Sequence, residues 1–179
     1  MLGAYVEDAS GRAPGHAVGL LRPTTTDQIS AWLGATASDG STVLPQAARS
    51  SLTGGAIPDG DVVVSVERLR EIGPVEASGR VARVRVGPGV RLRELQESLA
   101  ERGWYFPPVP TYQEAMVGGA VSTNAGGAAT FKYGTTRAWV RGLTVALADG
   151  HVVQLERGQC AVRAGGRIEI VRESGQSTA

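Results

Sequence analysis

The sequence predicts a chain of mixed helices and strands, and three patterns predict it. Residues 18–44 read as a β-α-β opening, and two later segments, 62–66 and 82–86, alternate apolar with other residues as strands do. An amphipathic helix at 92–99 and a hairpin signal at Asp149-Gly150 complete the mixture. The 179 residues suffice for one domain with a real core, and a hydrophobic content of 42% is ordinary for one.

Residues 1–17 are rich in Gly and Ala without a period, and are expected to form a loose lead-in. Val18 to Leu21 is a short apolar strand before Pro23. Thr25 and Gln28 have capping-box spacing, and Ile29, Trp32 and Leu33 then recur at helical intervals. Gly40 follows the helix, and Ser41 to Leu44 reads as the next strand, so the first two strands are expected to be a parallel pair with a helical crossover. Val62, Val64 and Val66 alternate, as do Ala82, Val84 and Val86 with Arg83 and Arg85 on the other face. The GPG at 87–89 breaks the second of these. Leu92, Leu95 and Leu99 make one helix face, which Gly103 is placed to end. From Trp104 to Arg137 small residues dominate and a long loop is expected. Leu143, Val145 and Leu147, then Val152, Val153 and Leu155, flank a two-residue hairpin turn. Ile168 to Val171 is a last possible strand.

Composition excludes several functions. The formal net charge is +1, and the arginines (17 of 18 basic residues, Lys132 being the other) are scattered, so neither nucleic acid nor an anionic membrane is called for. Cys160 is the single cysteine, so no intrachain disulfide forms and a reducing compartment fits. Residues 1–19 show no signal peptide, and no run approaches the ~20 apolar residues of a membrane span. The expected compartment is the cytoplasm. His16 and His151 are far apart in sequence and are expected at the surface, and no metal site is expected.

Two small-residue segments carry the functional signal. A phosphate diester needs several donors at close range, and backbone N–H groups supply them where no bulky side chain blocks the approach. Segments 47–55 and 118–127 meet that need, with Ser50, Ser51, Thr53, Ser122, Thr123 and Asn124 as side-chain partners. Facing one another, they could hold the two phosphates of a dinucleotide. No G-x-G-x-x-G opens a helix and no phosphate-binding G-x-x-x-x-G-K-[ST] occurs; in GPGVRL, Leu92 stands at the third glycine. Small-residue loops are also common as mere turns.

The segment PQAARSSLTGGA (45–56) resembles the first pyrophosphate loop, P-x-G-G-G-T-S-L-T-G-G, of the p-cresol methylhydroxylase-type FAD domain. VGGAVSTNAGG (117–127) with YGTTR (133–137) resembles that family's second loop, and the order of segments from Leu20 to Glu156 is that of its glycolate oxidase and D-lactate dehydrogenase branch. The resemblance implies an α+β fold of two small mixed α/β subdomains (18–88 and 89–157, with 158–179 as a tail) gripping a non-covalent FAD. It implies that Pro45, Gln46, Ala47, Ala48, Arg49, Ser50 and Ser51 wrap the pyrophosphate, completed by Thr53 and Gly54. Pro110 to Met116 would run beside the flavin. Gly118 and Gly119 would allow close approach, Ser122 would add a hydroxyl, and Thr123, Asn124, Ala125 and Gly126 would contact the ribityl-phosphate region, with Gly134 in the turn after Tyr133.

The chain departs from the pattern where three glycines are expected and Ala47, Ala48 and Arg49 stand. A positive φ at either alanine would strain the loop, and Arg49 could pair with a phosphate or face solvent. No histidine lies in 45–60, which excludes covalent flavin attachment there. The closing S-E-G-T-L-G-like run and the substrate-capping domain of the family are absent, so the domain reads as C-terminally incomplete and no catalytic residue is assigned. The resemblance implies an FAD-linked oxidoreductase acting on a small 2-hydroxy acid once a cap is supplied, the alternative being a non-catalytic remnant or a subunit needing a partner chain. Tyr105, Phe106 and Tyr112 could line the flavin or pack in the protein, and Lys132 and Tyr133 are possible flavin neighbours.

Overall fold

A computed structural model describes residues 2–108 and 111–159, with the backbone of 170–171 and 177–178. After a 3₁₀ turn at Gly3–Tyr5 come β1 (His16–Leu21), α1 (Thr26–Thr36), β2 (Val43–Gln46), β3 (Asp59–Ser65), β4 (Ile72–Ser78), β5 (Val81–Val86) and α2 (Leu92–Ala100). Then follow α3 (Val117–Ser122), α4 (Thr130–Tyr133), α5 (Thr136–Trp139), β6 (Gly142–Ala146), β7 (Val152–Glu156), β8 (Ile170–Val171) and β9 (Ser177–Thr178). The backbone divides into two compact units: residues 1–24 with 42–139, and residues 25–41 with 140–179.

In the first unit β1, β3 and β2 form a parallel sheet in that order. The direct β1–β2 pair expected from the sequence is not made, because β3 lies between them. Composition explains the order. Proline donates no backbone hydrogen bond, so Pro45 confines β2 to an edge. Val63, Val64 and Ser65 are buried in succession, which suits a central strand covered on both faces and not the one-sided alternation expected there. The antiparallel hairpin β4–β5 turns at Gly79-Arg80 and keeps the expected alternation in β5. Its first strand escaped the sequence reading because Gly73-Pro74 interrupts the pattern; an irregularity between Ile72 and Val75 accommodates them.

Against this hairpin packs α2. Arg91 is its N-cap residue, and its amide donates to Glu94 Oε2 at 3.2 Å. Val90, Leu95 and Leu99 are buried, surrounded by Ile72, Val75, Val84, Val86, Trp104, Phe106 and Val117. This core joins residues from both sides of position 88. The GPG turn brings backbones together: a Cβ on Gly87 would lie 2.4 Å from the Leu69 carbonyl oxygen, and one on Gly89 2.2 Å from that of Val66.

In the second unit α1 starts as expected, with Thr25 Oγ1 accepting from the Gln28 amide at 3.2 Å. The β6–β7 hairpin is longer-turned than the two-residue reading. Leu147 N donates to His151 O and Gly150 takes φ 84° within the five residues, 147–151, that separate the strands. Gly150 abuts α1: a Cβ there would meet Ser30 O at 2.6 Å and Gly34 Cα at 2.7 Å. Ile170–Val171 pairs antiparallel with Ser177–Thr178.

Candidate functional site

The first segment leaves the end of β2 and returns to β3. Gln46 is 2% exposed, and its Nε2 donates to the carbonyls of Tyr5 (2.9 Å) and Ala56 (2.8 Å). It therefore ties the two ends of the loop together from inside. Pro45 is exposed on the edge strand. The positive φ falls on Arg49 (57°) and Gly54 (84°), not on Ala47 or Ala48. The Arg49 guanidinium lies over the Tyr5 ring, 4.9 Å from the centroid, with Nη1 buried and without a hydrogen-bond partner. Ser51 Oγ lies 3.1 Å from Thr53 Oγ1 and accepts from the Thr53 amide. Among the described residues, the main-chain amides of Ala48, Arg49, Ser50 and Ser51 donate to no protein acceptor. Four successive free N–H groups on a half-exposed turn are a donor surface for an anion.

The second segment is a helix followed by a turn, where the sequence reading expected an open loop. α3 forms because the glycines at its start let the backbone close on the GPG turn. Val117 N donates to Val90 O and Gly118 N to Pro88 O, each at 2.9 Å. A Cβ on Gly118 would lie 2.7 Å from Pro88 Cβ. At the end of the helix, Ser122 and Thr123 are exposed, and Thr123 Oγ1 donates to Gly119 O. Asn124 takes φ 50° while its Oδ1 accepts from Arg137 N at 2.9 Å. The Ala125 carbonyl accepts from both the amide and the hydroxyl of Thr136, which is 2% exposed and was missed in the sequence. Gly126 is needed because a Cβ would meet Thr130 Oγ1 at 2.8 Å. Gly134, at φ 78°, makes the expected turn after Tyr133. Pro110 and Cys160 lie outside the described residues.

The two segments meet. A Cβ on Gly119 would stand 3.3 Å from Ala47 Cβ, so the small residues of both are what lets them touch. The N–H groups of Gly119 and Gly126 also have no protein acceptor among the described residues, so free donors lie on both sides of the contact.

The lead-in, expected to be loose, is bound to the first segment. Ala9 N donates to Arg49 O, Ala56 N to Asp8 Oδ2, and the Arg12 side chain packs against Gly54. Tyr5 OH donates to Glu67 Oε1 at 2.7 Å, and Arg22 Nε reaches the same oxygen at 2.5 Å. Burial works to raise the Glu67 pKa, but these hydrogen bonds outweigh it and hold the carboxyl below its ordinary value; burial and the same carboxylate raise that of Tyr5. Short aperiodic sequence gave no sign of this network.

Of the aromatic candidates, Phe106 packs in the core, held by Gln96 through its amide and carbonyl. Tyr112 is exposed. Tyr105 donates to the Tyr133 hydroxyl at 3.4 Å, and Lys132 Nζ lies 4.9 Å from the Tyr133 ring centroid; hydrogen bonding by Tyr105 and then by Lys132 lowers the Tyr133 pKa. His16 and His151 are exposed, as expected. Among the described residues no three His, Cys, Asp or Glu side chains gather as for a metal ion, and no helix is long and apolar enough to cross a membrane.

The FAD binding domain family matches residues 17–156. The D-lactate dehydrogenase of Archaeoglobus fulgidus is 36% identical over 137 residues, which are 76% of this chain and 30% of that protein. Glycolate oxidase subunit GlcD of Bacillus subtilis is 28% identical over 152 residues, 84% of this chain and 32% of that one. A solved chitooligosaccharide oxidase superposes with a TM-score of 0.74 at 24% identity, over 87% of this chain and 33% of its own, and so shares the fold. The chain thus spans about a third of the length of these relatives. The fold is the α+β, p-cresol methylhydroxylase type, and the cofactor of such a domain is FAD. This chain belongs to the FAD binding domain family.

Proposed function

We propose that the chain holds the pyrophosphate and ribityl stretch of FAD where segments 45–54 and 117–127 touch, as the flavin-binding part of an oxidoreductase for a small 2-hydroxy acid. The carrying observation is the Ala47–Gly119 contact with free amides on either side. The amides of Ala48 to Ser51 would donate to phosphate oxygens, with Ser50, Ser51 and Thr53 hydroxyls beside them and Gly54 closing the turn. Gly119 and Gly126 would add donors. Gly118 would keep α3 close against Pro88, and Ser122, Thr123, Asn124 and Ala125 would flank the ribityl chain. Thr136 and Gly134 hold that turn in shape, and Pro110 is proposed beside the flavin. Bound FAD supplies the hydride acceptor; the protein's part is to hold it and exclude water.

The substrate class rests on the relatives, which include D-lactate dehydrogenase, glycolate oxidase and D-2-hydroxyglutarate dehydrogenase. Substrate-binding groups would come from a capping domain or a partner chain, and the cytoplasm is the proposed compartment. A non-catalytic scaffold is the second reading, favoured by Arg49 in a glycine's place.

Titration of FAD with the purified chain tests the site. Saturable quenching of flavin fluorescence is expected, weakened at least tenfold by Gly119→Val, which drives a branched side chain toward Ala47. Equal binding by that variant, or none by the parent chain, would remove the proposal. With FAD bound, the 179-residue chain alone is expected to oxidise D-lactate no faster than free flavin.

A further inference from the structure

A cavity of about 400 Å³ opens between the C-terminal ends of β1 and β3 and the start of α2. Four arginines line it: Arg22 after β1, Arg68 and Arg70 after β3, and Arg91 at the α2 cap. Gly89 and Met116 complete the wall, and Glu67 is the one acidic lining residue among those described.

The carboxylates around the cavity orient these arginines without neutralising them all. Glu67 binds Arg22, Glu94 binds Arg70, and Glu114 is shared between Arg91 and Arg93. Five guanidinium groups thus face three carboxylates. Among the described residues Arg68 pairs with no carboxylate: its Nη1 donates to the Arg22 carbonyl at 3.4 Å. The arginines stay open to solvent, with the Arg22, Arg70 and Arg91 side chains about half exposed. Each guanidinium has five N–H donors in a fixed fork, so the pairs made here leave further donors for a ligand. Four such forks from three parts of the chain, around one concave space, match an oxyanion-rich molecule better than a single monovalent anion.

We propose that this cavity is a second anion site, distinct from the flavin loops, that takes a small molecule bearing at least two phosphate or carboxylate groups. The inference does not rest on the flavin reading. Met116 joins the cavity wall to the first residue of α3, and Arg91 pairs with Met116 in a β-bridge, so a ligand here would sit beside the helix that touches Ala47.

The test is calorimetric titration of the full chain with pyrophosphate and, separately, with citrate, at low salt and with or without saturating FAD. Arg68→Ala and Arg70→Ala are the variants, both at exposed positions, and circular dichroism checks their folding. Expected is saturable binding of at least one probe, unchanged by FAD and weakened about tenfold or more by Arg68→Ala. Pyrophosphate alone would mark a phosphorylated ligand; citrate alone would mark a polycarboxylate. Three results would overturn the site: neither probe binds, Arg68→Ala binds as the parent does, or FAD displaces the probe. FAD titrations of the same variants keep a failure here apart from a failure of the flavin site.

Discussion

Arg49 holds a left-handed backbone, φ 57°, in which a Cβ crowds the following carbonyl and costs roughly 1–2 kcal/mol. The glycines of the related motif meet this demand without penalty. Here the arginine side chain offsets part of it by lying over Tyr5, an interaction of about 0.5–2 kcal/mol. Arg49→Ala keeps the strained backbone and loses the aromatic contact; Arg49→Gly loses the contact and the strain together. Urea denaturation should therefore rank Arg49→Ala below Arg49→Gly by about 1 kcal/mol. The reverse order would mean that the loop does not need the left-handed conformation. Asn124, at φ 50°, meets the same demand more easily, because its short side chain finds a local partner in the Arg137 amide.

Elements show why some of the fold was legible in the sequence and some was not. The arginines of β5 face outward, the leucines of α2 face inward, and Thr25 caps α1, because each rests on a period or a cap that neighbours do not override. β4 was hidden by Gly73-Pro74, and α3 by two glycines that are poor helix formers in isolation but necessary against Pro88 and Ala47. The meeting of the two small-residue segments was legible in their composition; the burial of Gln46 and the inward turn of Arg49 were not, since both depend on the lead-in. That lead-in acts as an element through Glu67, whose pKa is held below its ordinary value of 4.5. A depressed carboxylate stabilises the fold fully above its unfolded pKa, and that contribution is lost as pH falls through the folded value. Glu67→Gln should accordingly be less stable than the parent at pH 7, with the gap narrowing below about pH 4.5. Parallel stability curves from pH 7 to pH 3 would show that the Tyr5–Glu67–Arg22 network contributes nothing pH-dependent.

At the scale of the whole molecule, both site segments belong to one compact unit, while the β6–β7 hairpin and α1 belong to the other. A ligand that binds only the native state stabilises it by RT ln(1 + [L]/Kd), about 2.7 kcal/mol at a hundred times Kd. Local exchange of amides reports where that stabilisation is felt. The amides of Ala48 to Ser51, Gly119 and Gly126 start without acceptors among the described residues, so they should exchange quickly in the free chain. Saturating FAD should slow them more than any other group of amides, because it both occupies the donors and suppresses local opening. The amides of β6 and β7 already pair with each other in register from Gly142–Glu156 to Ala146–Val152, and should change least. Hydrogen–deuterium exchange with and without FAD reads both regions in one experiment. Slowing confined to residues 45–54 and 117–127 places the cofactor between the two small-residue segments. Slowing spread evenly over both units would point to general stabilisation without that contact, and the assignment of these residues would fall.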